Sequence, residues 1–254
     1  MKITFLGTGT SQGVPVIGCG CDVCSSLDFR DKRLRSSVHL QVGDKSLVID
    51  TGPDFRQQML REGIKRLDAV IYTHEHKDHT AGLDDIRPFN FSQNADMPIY
   101  AQAAVLNQIR TEFSYIFADH RYPGIPMVET CVIENKPFEV DGILVHLIRV
   151  MHHKLPVFGY RINDFTYITD ANHIPPEELK KIMGTRVLVL NALQHRPHIS
   201  HFNLQQALEM VRVIQPERTY LTHISHKLGL HRDVEADLPD NVFVGYDGLK
   251  ITME

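Results

Sequence analysis

The sequence has no apolar run approaching the ~20 residues that would span a bilayer, so no membrane-crossing helix is expected. It has no excess of positive charge either. Its 27 Lys and Arg stand against 31 Asp and Glu, a net charge of −4 with histidine neutral. No global basic field is available to hold nucleic acid, which is not an expected partner, although a local basic patch stays compatible with these numbers. Ser/Gly linkers, charge runs and low-complexity tracts are absent, so no boundary divides the chain and a single domain over residues 1–254 is expected. The apolar stretch at residues 1–7 is too short for a secretory signal and reads as a first strand, which points to a cytoplasmic protein. Cysteine is scarce, but three of the four cysteines fall within residues 19–24. In an unexported chain that crowding suggests metal rather than a disulfide. What remains is ordinary for a soluble globular protein, with 43% hydrophobic and 23% charged residues, apart from 15 histidines.

Short runs rich in Val, Ile and Leu, bounded by Gly, Asp or Pro, predict strands at 3–6, 38–42, 46–50 and 69–72. Gly43-Asp44 reads as the turn of a hairpin. Helices are expected over 54–62, with Gly63 as a stop, and over 101–113. The second half repeats the style, with strands at 143–150, 157–162, 165–169, 187–190, 218–222, 242–245 and 249–252 and helices at 175–183 and 203–213. Two packed sheets with helices outside them would satisfy this order.

The apolar run 69–73 leads directly into His74-Glu75-His76-Lys77-Asp78-His79. If this segment is extended, alternation puts His74, His76 and Asp78 on one side, and His79 swings in as a helix begins. Four potential ligands at a strand end suit hard-to-borderline cations, and Thr80-Ala81-Gly82 is small enough to let backbone approach a metal. Two adjacent metals need further ligands and a shared one. His152 and His153, Asp170 and His223 each follow an apolar run, and a carboxylate such as Asp170 can bridge two cations.

Cys19-Gly20-Cys21-Asp22-Val23-Cys24 is a second candidate metal loop, in which Gly18 and Gly20 permit tight turns. Zinc takes four tetrahedral ligands, so a fourth must come from elsewhere. Cys131 is one candidate, and His226, three residues after His223, is the better one.

Taken together, Thr4-Phe5-Leu6-Gly7-Thr8-Gly9-Thr10, Asp50-Thr51-Gly52, the 73–79 motif, His152, Asp170 and His223 resemble the metallo-β-lactamase superfamily over nearly the whole chain. Ser11-Gln12-Gly13-Val14-Pro15 leading into the cysteines, and Leu221-Thr222-His223-Ile224-Ser225-His226, resemble its PhnP branch of phosphodiesterases, which open a 1,2-cyclic ribose phosphate. The resemblance implies a four-layer αββα sandwich. It implies one metal on His74, His76 and His152, a second on Asp78, His79 and His223, and Asp170 between them. It also implies a structural zinc on Cys19, Cys21, Cys24 and His226. The active-site metals would be zinc or manganese.

His201 resembles the family's active-site histidine that is not a ligand, with His195 and His198 as alternatives in the same region. Asp78 and His201 are thus the catalytic candidates. Two cations ~3.5–4 Å apart can activate a water and clamp a phosphate. Asp78 and Asp170 would keep the site's charge low enough to hold both, and His201 can donate to the leaving group or to phosphate oxygens. The expected function is a metal-dependent phosphodiesterase acting on a small phosphodiester or cyclic phosphate, with a homodimer left open. The rival readings are a tRNA 3′-end endonuclease, a thioester or lactone hydrolase, and a non-catalytic metal-binding partner.

Overall fold

The structure, a computed structural model, describes residues 1–118 and 124–253. The chain forms two compact units that are discontinuous in sequence, each built on one seven-stranded mixed sheet. Among the described residues no helix is long and apolar enough to cross a membrane.

The first unit takes residues 1–6, 37–134 and 248 onward. Its strands are β1 (Lys2–Gly7), β2 (Ser37–Val42), β3 (Lys45–Ile49), β4 (Ala69–Ile71), β5 (Met97–Ala101), β6 (Val128–Val132) and β14 (Lys250–Thr252), in the order β14-β1-β2-β3-β4-β5-β6. The β2–β3 hairpin closes on Gly43-Asp44, with Val42 opposite Lys45 and Gly43 at φ 60°. From β3 to β6 the strands run parallel. Parallel strands need crossovers, which are supplied here by the segments containing α2 (Phe55–Glu62), α4 (Arg87–Gln93) and α5 (Ala103–Glu112). β4 is only three residues long, and all three are buried. This is why the run reads as continuously apolar rather than alternating. Phe55, Leu67, Val70, Leu83, Ile99 and Leu106 anchor one apolar core, and each such side chain is worth about 1.5–3 kcal/mol when fully buried.

The second unit takes residues 7–36 and 135–247. Its strands are β7 (Phe138–Val140), β8 (Ile143–His152), β9 (Leu155–Ile162), β10 (Phe165–Ile168), β11 (Val187–Asn191), β12 (Arg218–Thr222) and β13 (Val242–Val244), paired in sequence order. β7 to β10 form an antiparallel meander, and β10 to β13 run parallel. The helices α6 (Pro176–Ile182), α7 (Leu204–Ile214) and α8 (His231–Ala236) lie in the three parallel crossovers. Asn163-Asp164 makes a two-residue turn, with Ile162 opposite Phe165 and Asn163 at φ 53°. α7 starts on a capping box: the Asn203 side chain accepts from Gln206 N–H while the Gln206 side chain accepts from Asn203 N–H. It buries Ala207, Val211 and Ile214 against a second apolar core that includes Ile148, Leu188, Leu190 and Leu221.

Candidate functional site

In the first unit β4 leads into Tyr72 and Thr73, both buried, and His74 follows past the strand's carboxyl end. The strand itself stops at Ile71, and the chain bends at Thr73 and Glu75 before Lys77–Thr80, a helical turn (α3) with His76 as its N-cap residue. The expected strand alternation therefore does not hold: His74 is buried and His76 exposed, bends place these two, and the helical turn places Asp78 and His79. The result is compact. The His74 ring centre lies 4.6 Å from that of His76 and 4.2 Å from that of His79, and Asp78 Oδ2 is 3.2 Å from His79 Nε2.

Two of these imidazoles are oriented by hydrogen bonds to the Nδ1 side. Asp50, just past β3, accepts from Thr73 N–H at 2.8 Å and from the Thr73 hydroxyl at 2.8 Å, and its Oδ2 lies 2.7 Å from His79 Nδ1. A carboxylate can only accept, so His79 carries its proton on Nδ1 and keeps the Nε2 lone pair. The Thr73 hydroxyl has given its proton to Asp50, so at 2.9 Å it accepts from His74 Nδ1, and His74 likewise presents Nε2 as a lone pair. A carboxylate or hydroxyl behind a histidine is the usual support for a metal ligand. Burial pushes the Asp50 carboxyl up, against the pull of His79 and Thr73.

Gly82 is required for a reason other than approach to a metal. A Cβ there would stand 2.1 Å from the Gly52 carbonyl oxygen and 2.8 Å from Phe55 Cβ. Gly82 N–H donates to Thr51 O at 2.8 Å, and Thr51 N–H to His79 O at 2.8 Å. The close approach locks the 50–52 turn against the 77–82 turn.

In the second unit β8 ends on His152, whose Nδ1 lies 2.8 Å from the Ser200 carbonyl. That bond again leaves Nε2 as the lone-pair side. His153 sits in the turn after β8, exposed and at φ 56°. Asp170 and His223 follow β10 and β12 at φ 55° each, the left-handed region that non-glycine residues enter rarely and often at functional sites. His223 Nε2 is 3.2 Å from Asp170 Oδ1 and 3.2 Å from Thr10 Oγ1. His152, Asp170 and His201 also gather, with ligand atoms within 4.8 Å of one another.

His201 is buried. Its ring centre stands 4.8 Å from His223, 4.6 Å from His152 and 5.1 Å from His198, and its Nδ1 lies 3.7 Å from Asp170 Oδ1. Burial first, and His223 next, push its pKa down to about 3. His195 and His198 are exposed.

The cysteine loop, which includes the short helix α1 (Asp22–Ser25), lies wholly in the second unit. His226 Nδ1 stands 3.3, 3.4 and 3.5 Å from the sulfurs of Cys19, Cys21 and Cys24. Three thiols and one imidazole within 4.8 Å form the donor set of a tetrahedral zinc site. Cys131 is in β6 of the first unit and takes no part in that group. The Cys24 N–H, and then His226, pull the Cys21 thiol down to about 6, while burial pushes Cys24 up to about 11.

Some supporting residues carried no sequence signal of their own. Arg33, fully buried, donates to Thr8 Oγ1 at 2.8 Å and to Gly245 O at 2.5 Å, and its Nη2 is 3.3 Å from His231 Nδ1. Asp247 takes Thr8 N–H, the Thr8 hydroxyl and Leu34 N–H. These bonds fix the Thr8–Thr10 loop that sets Thr10 against His223. Asp50, Asp170 and His223 share one trait, a positive φ within two residues of a strand's end, but in sequence this looks like any Asp or His in a turn.

Residues 45–224 match the β-lactamase superfamily domain. A crystal structure of a diphosphatase from the PhnP family superposes with a TM-score of 0.93 at 40% identity, covering 100% of this chain and 98% of that one. The chain belongs to the metallo-β-lactamase superfamily and, within it, to the PhnP family. Its fold class is the α/β sandwich of that superfamily. An octanoyltransferase of Porphyromonas gingivalis (strain ATCC BAA-308 / W83) is 40% identical over 258 aligned residues, which take in 100% of this chain and 52% of that protein. The chain spans about half the length of the curated relatives it matches. Zinc-bound PqqB from Methylobacterium extorquens, at 19% identity and a TM-score of 0.80 over 100% of both chains, shares the fold. The histidine and aspartate clusters of this PhnP-family chain are suited to divalent metal.

Proposed function

We propose that the protein is a phosphodiesterase acting on a small phosphodiester or cyclic phosphate in the cytoplasm, and that its 254 residues work as one domain. The likeness that carries this reading is the 40% identity, over the whole chain, to a PhnP-family protein whose name is diphosphatase. The oriented imidazoles support it. His74, His79 and His152 each present Nε2, with Nδ1 held from behind by Thr73, Asp50 and the Ser200 carbonyl.

In this reading His74, His76 and His152 would hold one divalent cation and Asp78, His79 and His223 a second, with Asp170 available to both. Such a pair, when bound, activates water and neutralises charge on the phosphoryl oxygens. The chain's own residues do the rest. Asp50 and Thr73 hold His79 and His74 in the tautomer that exposes Nε2. Thr10 sets the ring of His223. Asp78 and Asp170 offset the added positive charge while leaving the site attractive to phosphate. His201, buried and neutral among His152, His198 and His223, is the hydrogen-bond donor to a phosphoryl or leaving-group oxygen. The zinc on Cys19, Cys21, Cys24 and His226 is structural, three residues past His223.

The diphosphatase name of the PhnP-family neighbour favours a second reading within this class, in which the bond broken is that of a diphosphate ester. A screen of purified protein with added Mn²⁺ or Zn²⁺ separates the two. Hydrolysis of ribose cyclic phosphates or simple diesters supports the first, and preference for diphosphate esters supports the second. Turnover of thioesters or lactones alone, or of none of these substrates, would overturn both.

A further inference from the structure

The segment between β11 and α7 carries more imidazole than one donor requires. Gln194-His195-Arg196-Pro197-His198-Ile199-Ser200-His201 is tied down along its length by backbone and side-chain bonds. His195 O accepts from Asn203 Nδ2, Ile199 O from Asn172 Nδ2, and Ser200 O from His152, while Phe202 N–H donates to Ala171 O. The loop is therefore a fixed platform. From it His223, His201 and His198 form a ladder of rings at successive centre spacings of 4.8 and 5.1 Å, which runs from the buried His223 to the exposed His198.

His198 has a defined orientation for an exposed residue. Its Nδ1 lies 3.3 Å from Ser200 N–H and 3.3 Å from the Ser200 hydroxyl. A backbone N–H can only donate, so Nδ1 accepts and the neutral ring carries its proton on Nε2. Lys227 is the permanently charged side chain that acts on the ring. No Asp or Glu occurs between Glu178 and Glu209, nor between Glu217 and Asp233, so the segments that carry His198 and Lys227 are without acids. An N–H donor on a rigid loop near a lysine is suited to an anion.

Resting on the second reading above, in which the substrate is a diphosphate ester, we propose that His198 is a substrate-binding residue that sets specificity. Its Nε2–H, backed by Lys227, binds a second phosphate one linkage beyond the phosphate that reacts at His201. The protein then prefers a diphosphate ester to the matching monophosphate ester, and His198 supplies that preference.

The test is a matched pair of substrates, AMP methyl ester and ADP β-methyl ester, turned over by the metal-loaded protein. H198A is expected to lower kcat/KM on the two-phosphate ester by roughly tenfold or more beyond its effect on the one-phosphate ester. H198Q, which keeps an N–H donor, recovers most of the loss. Independently of turnover, the His198 ring proton resonance, assigned by its absence in H198A, shifts on adding α,β-methylene-ADP and not on adding AMP. Equal losses on both esters, no loss on either, or an unmoved resonance would overturn the assignment. Wild-type protein that cleaves neither ester, whether or not it opens ribose cyclic phosphates, overturns the diphosphate-ester reading on which this rests, a failure visible before any variant is made.

Discussion

Asp50 makes its contacts to the first group of ligands with a single carboxylate. Asp50→Ala removes the acceptor for Thr73 N–H, the Thr73 hydroxyl and His79 Nδ1 together, leaving buried donors unsatisfied at about 1–3 kcal/mol each. His79 also loses the partner that selects its tautomer. The expected outcome is metal affinity at that position weakened by roughly 10–100-fold, read by metal analysis after dialysis, with turnover falling in parallel. An Asp50→Ala protein that keeps its full metal complement would remove Asp50 from the account. His39 offers a prediction away from the site. It is buried in β2, its Nε2 is 2.8 Å from Ser46 Oγ, and Ser46 Oγ itself donates to Arg66 O, so the neutral ring donates from Nε2. Burial first, then Lys2, push its pKa down to about 4, with Glu62 opposing. Between about 6.5 and 4 the unfolded chain binds more protons at this residue than the folded one. Its contribution is therefore whole above pH 6.5 and is lost as pH falls toward 4, by at most about 3 kcal/mol. In urea titrations from pH 7 to 4.5, H39Q should lose less stability than wild type over the same interval. Parallel curves would contradict this.

At the scale of elements, the turns carry the design. Gly82 has no room for a Cβ beside the Gly52 carbonyl. Gly82→Ala must therefore push apart the two turns that hold Asp50 and His79, at a cost of about 1–3 kcal/mol or more, measurable as a lower urea midpoint. A neutral Gly82→Ala would show that the turns are not locked as described. The cysteine loop ties residues 19–24 to His226, three residues beyond His223. Cys21→Ser is expected to lower the melting temperature and the zinc content by close to one per chain; unchanged zinc in that variant would refute the shared site. These elements also show what could be read from sequence. The 69–73 run and the β2–β3 and β9–β10 turns were legible because local patterns decide them: a buried apolar run and two-residue turns of Gly-Asp and Asn-Asp. β5, β6, β7, α3, α4 and α8 gave no such signal. α3 lies inside the histidine motif, where ligand spacing mimics strand alternation, and β6 is only half-buried, so its pattern is weak. The ligand residues were legible as chemistry at strand ends. Asp50 and Arg33 were not, since their role lies in hydrogen bonds to groups far along the chain.

For the molecule as a whole, the two units meet the same problem in similar ways. Each is a mixed seven-stranded sheet whose strands deliver His or Asp at their ends, with Asp50, Asp170 and His223 all in left-handed backbone just past a strand. The likeness to the PhnP-family diphosphatase covers both units. The central claim is that hydrolysis of a phosphodiester depends on divalent metal held by these side chains. The most direct measurement is hydrolysis of bis(p-nitrophenyl) phosphate alongside metal content, before and after exhaustive chelation and after adding back Mn²⁺ or Zn²⁺, for wild type and Asp170→Ala. The account predicts up to three metals per chain. Activity should be lost as the metals outside the thiolate site are stripped, it should return on their replacement, and Asp170→Ala should fail to recover it. Activity that persists in protein free of metal, or that survives in Asp170→Ala after chelation, would contradict it.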